Sequence, residues 1–345
     1  MTHSAAKRSH RALSSDDVLS SVFSFIAPEA GFGAATASKT FRDAWRRRCR
    51  GMLRVHRQRI GEFQYSDHCV AYGDGVMVAN YGRMAHSGYL ATFSNDGVAD
   101  AELNTNLHTP LVVALRGDGT AWVLLSDAEL IVCVRLAEPP SDEDSDEADA
   151  YNESLMRIEI ADAYWINTFV LAGDMLLVLY CSEEHDYVRC IGVYDNQTGT
   201  LLRTFALAEQ TEFPEDEEQG GIAVQGDALY IVRRNADIVD VYNWREGILS
   251  RSFGRGRVRF DRPGGISVRG KTMYVSERHQ IQVIRLPDDD SAEPEILQVI
   301  PSPDGEELGG LCLNGDRLWC MGRKYPRIGR QRVHLFGPCY EYKVN

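Results

Sequence analysis

Residues 221–232 read Gly-Ile-Ala-Val-Gln-Gly-Asp-Ala-Leu-Tyr-Ile-Val, and the same pattern returns at residues 265–275 and 310–321. Each copy has a short run of alternating apolar and polar residues, a turn that contains glycine, and a second such run. Alternation with a period of two indicates a strand with two different faces, and glycine or aspartate tolerates the positive φ of a tight hairpin turn. The stretch therefore predicts a repeated β-hairpin.

Fainter copies of this hairpin precede the clear ones, at residues 70–78, 112–123 and 169–178. A third strand follows each copy, and a fourth often closes the unit. Four antiparallel strands per repeat are typical of a propeller blade, because such small sheets bury their faces only by stacking around an axis. We predict an all-β, six-bladed β-propeller over residues 51–345. The turn glycines of its blades are 44 to 56 residues apart: Gly73, Gly117, Gly173, Gly226, Gly270 and Gly315.

The two ends of the repeat array indicate how the ring closes. The last copy shows three clear strands, and residues 52–61 resemble the outer strands of other copies. We predict that residues 52–61 pair with the last blade and close the ring. Between the second and third copies, residues 138–152 form an acidic insertion that is poor in apolar residues, which indicates a solvated surface loop.

Residues 252–286 carry a more specific pattern than the hairpin alone. They contain Phe253-Gly, Pro263-Gly-Gly-Ile-Ser-Val, Met273-Tyr-Val and Ile281-Gln-Val-Ile. This pattern resembles the NHL repeat, and the resemblance is best in the fourth to sixth copies. It implies an NHL-like propeller with six blades. Proteins of that family mostly bind proteins or RNA, and some enzymes that resemble them use the same fold.

The N-terminal part differs from the rest in charge. Residues 1–60 hold 12 Lys/Arg and 4 Asp/Glu, whereas the remainder holds 25 and 46. A basic head on an acidic body favours two functional units. We predict a disordered basic tail at residues 1–12 and a short α-helical segment at residues 13–50. Ser14 can cap its first helix, with Asp17 three residues later.

The helical segment reads Asp16-Asp-Val-Leu-x-x-Val-Phe-Ser-Phe-Ile and then Ala37-Ser-Lys-x-Phe-Arg-Asp. It resembles an F-box. The resemblance implies a substrate-recruiting subunit of an SCF-type ubiquitin ligase, in which the head contacts the Skp-type adaptor and cullin complex and the propeller holds the substrate protein. The alternative is a helical hairpin that only flanks the propeller. The residues implied to meet the adaptor are Val18, Leu19, Val22, Phe23, Ile26 and Phe41.

The loops that join the second and third strands of the blades emerge on one face of a propeller. They are acidic in the second and third blades, at Asp127, Glu129, Glu183, Glu184 and Asp186. In the other four blades, which are neighbours in the ring, they form a basic arc. Arginine forks suit carboxylate or phosphate, so the arc predicts an acidic or phosphorylated partner, with solvated loop charges as the alternative. The predicted partner-binding residues are Tyr81, Arg83, Arg233, Arg234, Arg278, His279, Arg323, Lys324 and Tyr325.

Catalytic and cofactor signatures are weak. Residues 265–272 match the phosphate-loop expression G-x-x-x-x-G-K-[ST], but a strand continues where that loop requires a helix, so we predict a hairpin. The histidines lack metal-site spacing, and no G-x-S-x-G motif occurs. We therefore predict a non-catalytic protein with no cofactor and no metal. A propeller hydrolase or lyase is the less favoured interpretation.

The expected location follows from three further features. No apolar run reaches the roughly 20 residues of a membrane span, and no signal peptide is predicted at the N-terminus. The eight cysteines form no C-x-x-C pair and indicate reduced thiols, so we predict a cytoplasmic or nuclear protein with no membrane partner. The acidic body disfavours nucleic acid. The alternative to the ligase subunit is an NHL-like scaffold that binds protein or RNA.

Overall fold

A computed structural model describes residues 53–63, 68–80, 88–94, 99–107, 109–125, 130–136, 154–184, 187–208, 219–288, 292–302, 307–323, 327–328, 331–332 and 337–344. Within these ranges every regular element is a β-strand, and no helix long and apolar enough to cross a membrane occurs among them. The predicted tail, the F-box-like segment with its six adaptor-binding residues, and the insertion at 138–152 lie outside the described residues.

The described strands form six four-stranded antiparallel sheets and one short ribbon, which confirms the predicted six-bladed propeller. In each blade the strands run in the following order from the axis outward. Blade 1 holds β2 (Cys69–Tyr72), β3 (Gly75–Asn80), β4 (Gly88–Phe93) and β5 (Ala99–Leu107). Blade 2 holds β6 (Pro110–Leu115), β7 (Thr120–Leu125), β8 (Leu130–Arg135) and β9 (Ser154–Ile158). Blade 3 holds β10 (Ala163–Ala172), β11 (Met175–Ser182), β12 (Val188–Asp195) and β13 (Leu201–Ala206).

The second half of the ring is built in the same way. Blade 4 holds β14 (Gln219–Gln225), β15 (Ala228–Arg233), β16 (Ile238–Asn243) and β17 (Ile248–Phe253). Blade 5 holds β18 (Ile266–Arg269), β19 (Thr272–Ser276), β20 (Gln280–Arg285) and β21 (Glu295–Pro301). Blade 6 holds β22 (Glu307–Asn314), β23 (Arg317–Arg323), β26 (Gly337–Val344) and β1 (Leu53–Phe63), and the ribbon pairs β24 (Arg327–Ile328) with β25 (Gln331–Arg332).

The ring is closed by a strand from the N-terminal side of the propeller. The sequence predicts this strand at residues 52–61, and the structure has β1 at Leu53–Phe63, paired antiparallel with β26 of blade 6. The inner strands β2, β6, β10, β14, β18 and β22 each contact the next one around the axis, and β22 contacts β2. Closure therefore involves both the inner strands and the outer strand of blade 6.

The hydrophobic core consists of layers between neighbouring blades. Leu229 and Ile231 of β15 pack toward blade 3, whereas Tyr230 and Val232 of the same strand pack toward blade 5. Side chains alternate between the faces of a strand, so a middle strand with a blade on either side is apolar on both faces. The sequence predicts strands with one apolar and one polar face, but these middle strands are apolar on both faces because stacking of the blades buries both.

Paired glycines let the inner strands approach one another closely at the axis. Residues 220–221, 264–265 and 309–310 are glycine pairs at the inner strands of blades 4, 5 and 6. The amide of Gly221 donates to the carbonyl of Gly264 over 2.6 Å, and a Cβ on Gly265 would lie 2.5 Å from the Gly309 oxygen. No other residue fits such a backbone approach without displacement. The glycines therefore set the spacing of these three blades.

The segment that matches the phosphate-loop expression is a hairpin, as predicted. β18 pairs with β19, and the turn between them has Gly270 at φ 57°. Lys271 lies in this turn and forms an ion pair with Asp288. Its ammonium group is therefore held by a carboxylate of the same blade.

Antiparallel strands place successive loops at alternate ends of a blade. The turns between first and second strands and the loops between third and fourth strands lie on one side of the ring, the lower face. The loops between second and third strands, together with the segments that join one blade to the next, lie on the other side, the upper face.

Candidate partner-binding face

Glu307 is the centre of a charge cluster that joins three blades at the upper face. It is the first residue of β22 in blade 6, and its Oε1 accepts a hydrogen bond from Arg278 Nε of blade 5 at 2.9 Å. Its Oε2 lies 3.7 Å from Arg234 Nη2 of blade 4. The side chains of Arg234 and Glu307 are 4% and 11% exposed, whereas that of Arg278 is 32% exposed. One carboxylate thus links two arginines, and Arg278 is the more accessible of them.

Arg233, beside Arg234 in the sequence, is held inside blade 4. Its Nη1 lies 3.5 Å from Asp240 Oδ2 on the next strand, β16. Asp240 Oδ1 also accepts a hydrogen bond from Ser252 Oγ on β17 at 2.5 Å. All these contacts run across one sheet, so the Asp240 carboxylate ties three strands of blade 4 together.

The corresponding position of blade 5 is Glu277, which is fully buried and anchors the segment that joins blades 4 and 5. Its Oε1 accepts hydrogen bonds from the Asp261 amide at 3.0 Å and from Gln282 Nε2 at 2.8 Å, and Gln280 donates to Oε2. Burial raises the pKa of Glu277, and the three hydrogen bonds oppose that rise. Glu277 therefore fixes the loop in which Asp261 lies beside Arg278.

The structure revises the basic arc predicted from the sequence. The pattern predicts Arg233 and Arg234 in projecting loops, but both are buried, because β15 continues to Arg233 and Arg234 contacts Glu307 across the ring. Arg278 is half-buried and His279 is exposed on the upper face, as expected for surface residues. The three arginines each have a carboxylate neighbour, so this region is closer to neutral than the sequence indicates. Partner binding by these residues stays a prediction.

Other predicted residues are described in part or not at all. The backbone of Arg323 pairs with Glu307 in the sheet of blade 6, and Glu183 and Glu184 are exposed in the acidic loop of blade 3. The remaining predicted loop residues lie outside the described residues: Tyr81, Arg83, Asp127, Glu129, Asp186, Lys324 and Tyr325.

Sequence reasoning missed Glu307 and Asp240, although both decide how the arginines are placed. Glu307 lies where one blade joins the next, whereas the predicted arc contains only loops between second and third strands. Because loops alternate between the two ends of an antiparallel sheet, the joining segments reach the same face. That alternation is the signal that could have added Glu307 to the set.

Among the described residues, no group of three or more His, Cys, Asp or Glu side chains is placed to hold a metal ion. The seven described cysteines are buried, and none of them forms a disulfide bond. Burial is the main reason that the pKa of Cys320 and Cys339 is well above the ordinary thiol value.

Comparison with known proteins gives a fold but no family. No family model matches this chain, and no curated protein matches it. Solved structures do match it at low identity. A streptogramin B lyase is 16% identical over 83% of this chain and 97% of that one, with a TM-score of 0.51. A virginiamycin B lyase from Staphylococcus aureus is 13% identical over 85% of this chain and 100% of that one, with a TM-score of 0.54.

A third similar structure is the PQQ-bound aldose sugar dehydrogenase from Streptomyces coelicolor. It is 14% identical over 86% of this chain and 99% of that one, with a TM-score of 0.55. At such identities the likeness concerns the fold alone. Together with the closed ring described above, it places the chain in the class of six-bladed propellers.

Proposed function

We propose that this chain is a non-catalytic, substrate-recruiting subunit of an SCF-type ubiquitin ligase. In this proposal residues 13–50 bind the Skp-type adaptor, and loops of the upper face hold the substrate protein. The observation that carries the recognition part is the closed ring, which presents loops from all its blades on one face. Rigid scaffolds that present variable loops are a common basis for binding.

The path of the chain supports a mechanical link between the two parts. The F-box-like segment ends at residue 50, and β1 begins at Leu53. Because β1 is paired with β26, the head is connected through two residues to a strand within blade 6. So short a connection restricts how far a bound adaptor can move relative to the propeller, as positioning a substrate for modification requires.

The substrate proposed from the sequence is an acidic or phosphorylated protein segment that contacts the upper face near Arg278 and His279. Arg278 is the partly exposed cation of the Glu307 cluster, and His279 is exposed beside it. A phosphate could share the Arg278 guanidinium with Glu307, since arginine offers several donors in one plane.

The experiment is affinity purification of the full chain from cells, followed by identification of bound proteins. The proposal expects a Skp-type adaptor and a cullin with the wild type and their loss with Phe23→Ala. Asp43→Asn, a change within the same segment at a residue outside the predicted contact set, is the matched control. If the wild type brings down no adaptor while the propeller is folded, the ligase assignment is wrong.

The second candidate is an NHL-like propeller scaffold that binds protein or RNA without a ligase. The same closed ring supports it, and it needs no adaptor. Salt-dependent binding of single-stranded RNA by the purified chain separates the RNA form of this candidate from the protein form. A cytoplasmic or nuclear location is part of both proposals, and the seven described cysteines, which are buried and form no disulfide bond, fit a reducing compartment.

A further inference from the structure

Blade 3 carries an exposed group of aromatic side chains on the upper face, the blade 3 aromatic surface, which consists of Tyr164, Trp165 and Tyr187. The rings of Tyr164 and Trp165 are tilted, with centroids 4.8 Å apart. Tyr164 and Tyr187 meet edge to face at 5.0 Å. Tyr164 is 39% exposed and Tyr187 is 38% exposed. The three rings therefore form an aromatic cluster in which the two tyrosines are open to solvent.

A break in strand pairing brings the first two rings together. Ala163 pairs with Ser182 and Trp165 pairs with Cys181, so Tyr164 is the extra residue of a β-bulge at the start of β10. Consecutive residues of a regular strand point to opposite faces, whereas a bulge redirects a side chain. The bulge thus explains how neighbours in the sequence come into ring contact.

The third ring is held by an uncommon backbone conformation. Tyr187 has φ 61°, a left-handed value that costs an aromatic residue on the order of 1–2 kcal/mol. Its carbonyl accepts a hydrogen bond from Cys181 Sγ at 2.9 Å. The strained turn places the Tyr187 ring against Tyr164, and strain of this kind is concentrated at functional sites.

Carboxylates come from both segments that flank the rings. Glu159, Glu183 and Glu184 are exposed, and Asp162 is half-buried and accepts a hydrogen bond from Ser182 Oγ at 2.7 Å. Burial raises the pKa of the nearby Tyr180 to about 12, and the charges of Asp162 and Glu184 add to the rise, as expected where the potential is negative. Arg189, the cross-strand neighbour of Cys181, is 6% exposed and presents little charge to solvent.

We propose that the blade 3 aromatic surface binds a basic segment of a partner protein, with an arginine or lysine side chain placed against the rings of Tyr164 and Tyr187 and paired with Glu183 and Glu184. Aromatic faces attract cations, and the nearby carboxylates attract them as well. The carboxylates also repel the phosphates of RNA, whose bases could otherwise stack on the rings. The inference rests on the proposed function in one respect, that the propeller is a recognition module. It identifies a site distinct from the Glu307 cluster.

The test measures binding of a labelled decapeptide of alternating arginine and glycine to the purified full chain by fluorescence anisotropy. The matched peptide has citrulline for arginine, which keeps the shape and removes the charge. We expect saturable binding of the arginine peptide, weakened by salt, and at least about tenfold weaker binding of the citrulline peptide. No saturable binding up to about 1 mM, or equal binding of both peptides, overturns the proposal.

Variants locate the site. Tyr164→Ala combined with Tyr187→Asn, the latter because asparagine tolerates positive φ, should weaken binding about tenfold. Glu183→Gln combined with Glu184→Gln alters only exposed turn residues and should weaken it about fivefold. Glu246→Gln, an exposed change on the lower face, should leave the affinity unchanged. Wild-type affinity in both double variants, or single-stranded RNA that competes at this site, overturns the proposal.

Trp165 supplies a readout inside the wild-type protein. Of the tryptophans that the structure describes, Trp122, Trp244 and Trp319 are buried and Trp165 is partly exposed. The arginine peptide should therefore protect tryptophan fluorescence from quenching by acrylamide, and Trp165→Phe should remove that protection. Because the peptide assay contains no adaptor, its failure leaves the ligase proposal standing, and failure of the adaptor purification leaves this site standing.

Discussion

Arg278 donates a hydrogen bond from Nε to Oε1 of Glu307 over 2.9 Å, and this contact joins blade 5 to blade 6 at the upper face of the ring. Glu307 is also within 3.7 Å of the buried Arg234 of blade 4. A single carboxylate at the start of one inner strand therefore compensates charges from two other blades. Removal of this carboxylate should therefore lower the free energy of unfolding more than removal of an ordinary surface charge does.

Glu307→Gln should lower the free energy of unfolding by about 2–4 kcal/mol, because it removes a negative charge that lies 3.7 Å from the buried Arg234 guanidinium. Urea denaturation monitored by circular dichroism measures the change. Glu295→Gln is the matched control, since Glu295 and its partner Arg285 are both largely exposed and such pairs contribute about 0–1 kcal/mol. Equal effects of the two substitutions would show that the Glu307 cluster has no special role in stability.

Removal of β1 tests ring closure. Without residues 52–61 the outer edge of β26 loses its partner strand, so we expect the melting temperature to fall by at least about 10 °C. A chain that begins at residue 51 retains β1 and serves as the control. Differential scanning calorimetry compares the two, and equal melting temperatures would contradict closure by β1.

Gly265→Ala tests the close approach of inner strands at the axis. The new Cβ would lie 2.5 Å from the Gly309 oxygen and 2.6 Å from the Leu311 nitrogen, so we expect a loss of about 2 kcal/mol or more. Gly221→Ala is the control at the equivalent position of blade 4, where the nearest atoms are 3.4 Å away. Chemical denaturation should separate the two variants clearly. A neutral Gly265→Ala would mean that the axis has room to relax.

Glu277 gives a pH prediction. Its pKa is raised in the folded state above the ordinary value of 4.5, mainly by burial, so the folded protein holds this proton more tightly than the unfolded chain does. The stabilisation that comes from the tighter binding of this proton is fully present below pH 4.5, and it is lost as the pH rises through the pKa of Glu277 in the folded state. The stability of the wild type relative to Glu277→Gln should therefore fall from the acid side toward neutrality. Urea titrations at several pH values measure it, with Glu295→Gln as the control, and a difference independent of pH would count against a buried ionisable Glu277.

Turn residues and strand periodicity allowed much of the fold to be predicted from the sequence. The hairpins around Gly226, Gly270 and Gly315 lie where the repeat places them, because a positive-φ glycine between two alternating runs is a local signal. The closing strand could also be predicted from the sequence, since it resembles the outer strands of other blades. Burial of β15 on both faces could not be predicted, because it depends on neighbouring blades rather than on the strand itself.

The candidate sites were less predictable. The sequence placed Arg233 and Arg234 in a loop on the correct face, but it could not show that Asp240 and Glu307 accompany them. The blade 3 aromatic surface was missed altogether. Tyr164 and Trp165 are adjacent in the chain, so regular strand geometry would separate their rings, and the bulge that unites them leaves no obvious mark in the sequence.

The number of blades, the positions of their hairpins and the strand that closes the ring can all be inferred from the amino-acid sequence, because each depends on short patterns that repeat along the chain. Which charges lie beside an opposite charge, and which aromatic rings meet at the surface, can be seen only in the folded ring. Those outcomes depend on side chains from separate strands and blades, such as Arg234 and Glu307, which come together only when the ring has closed.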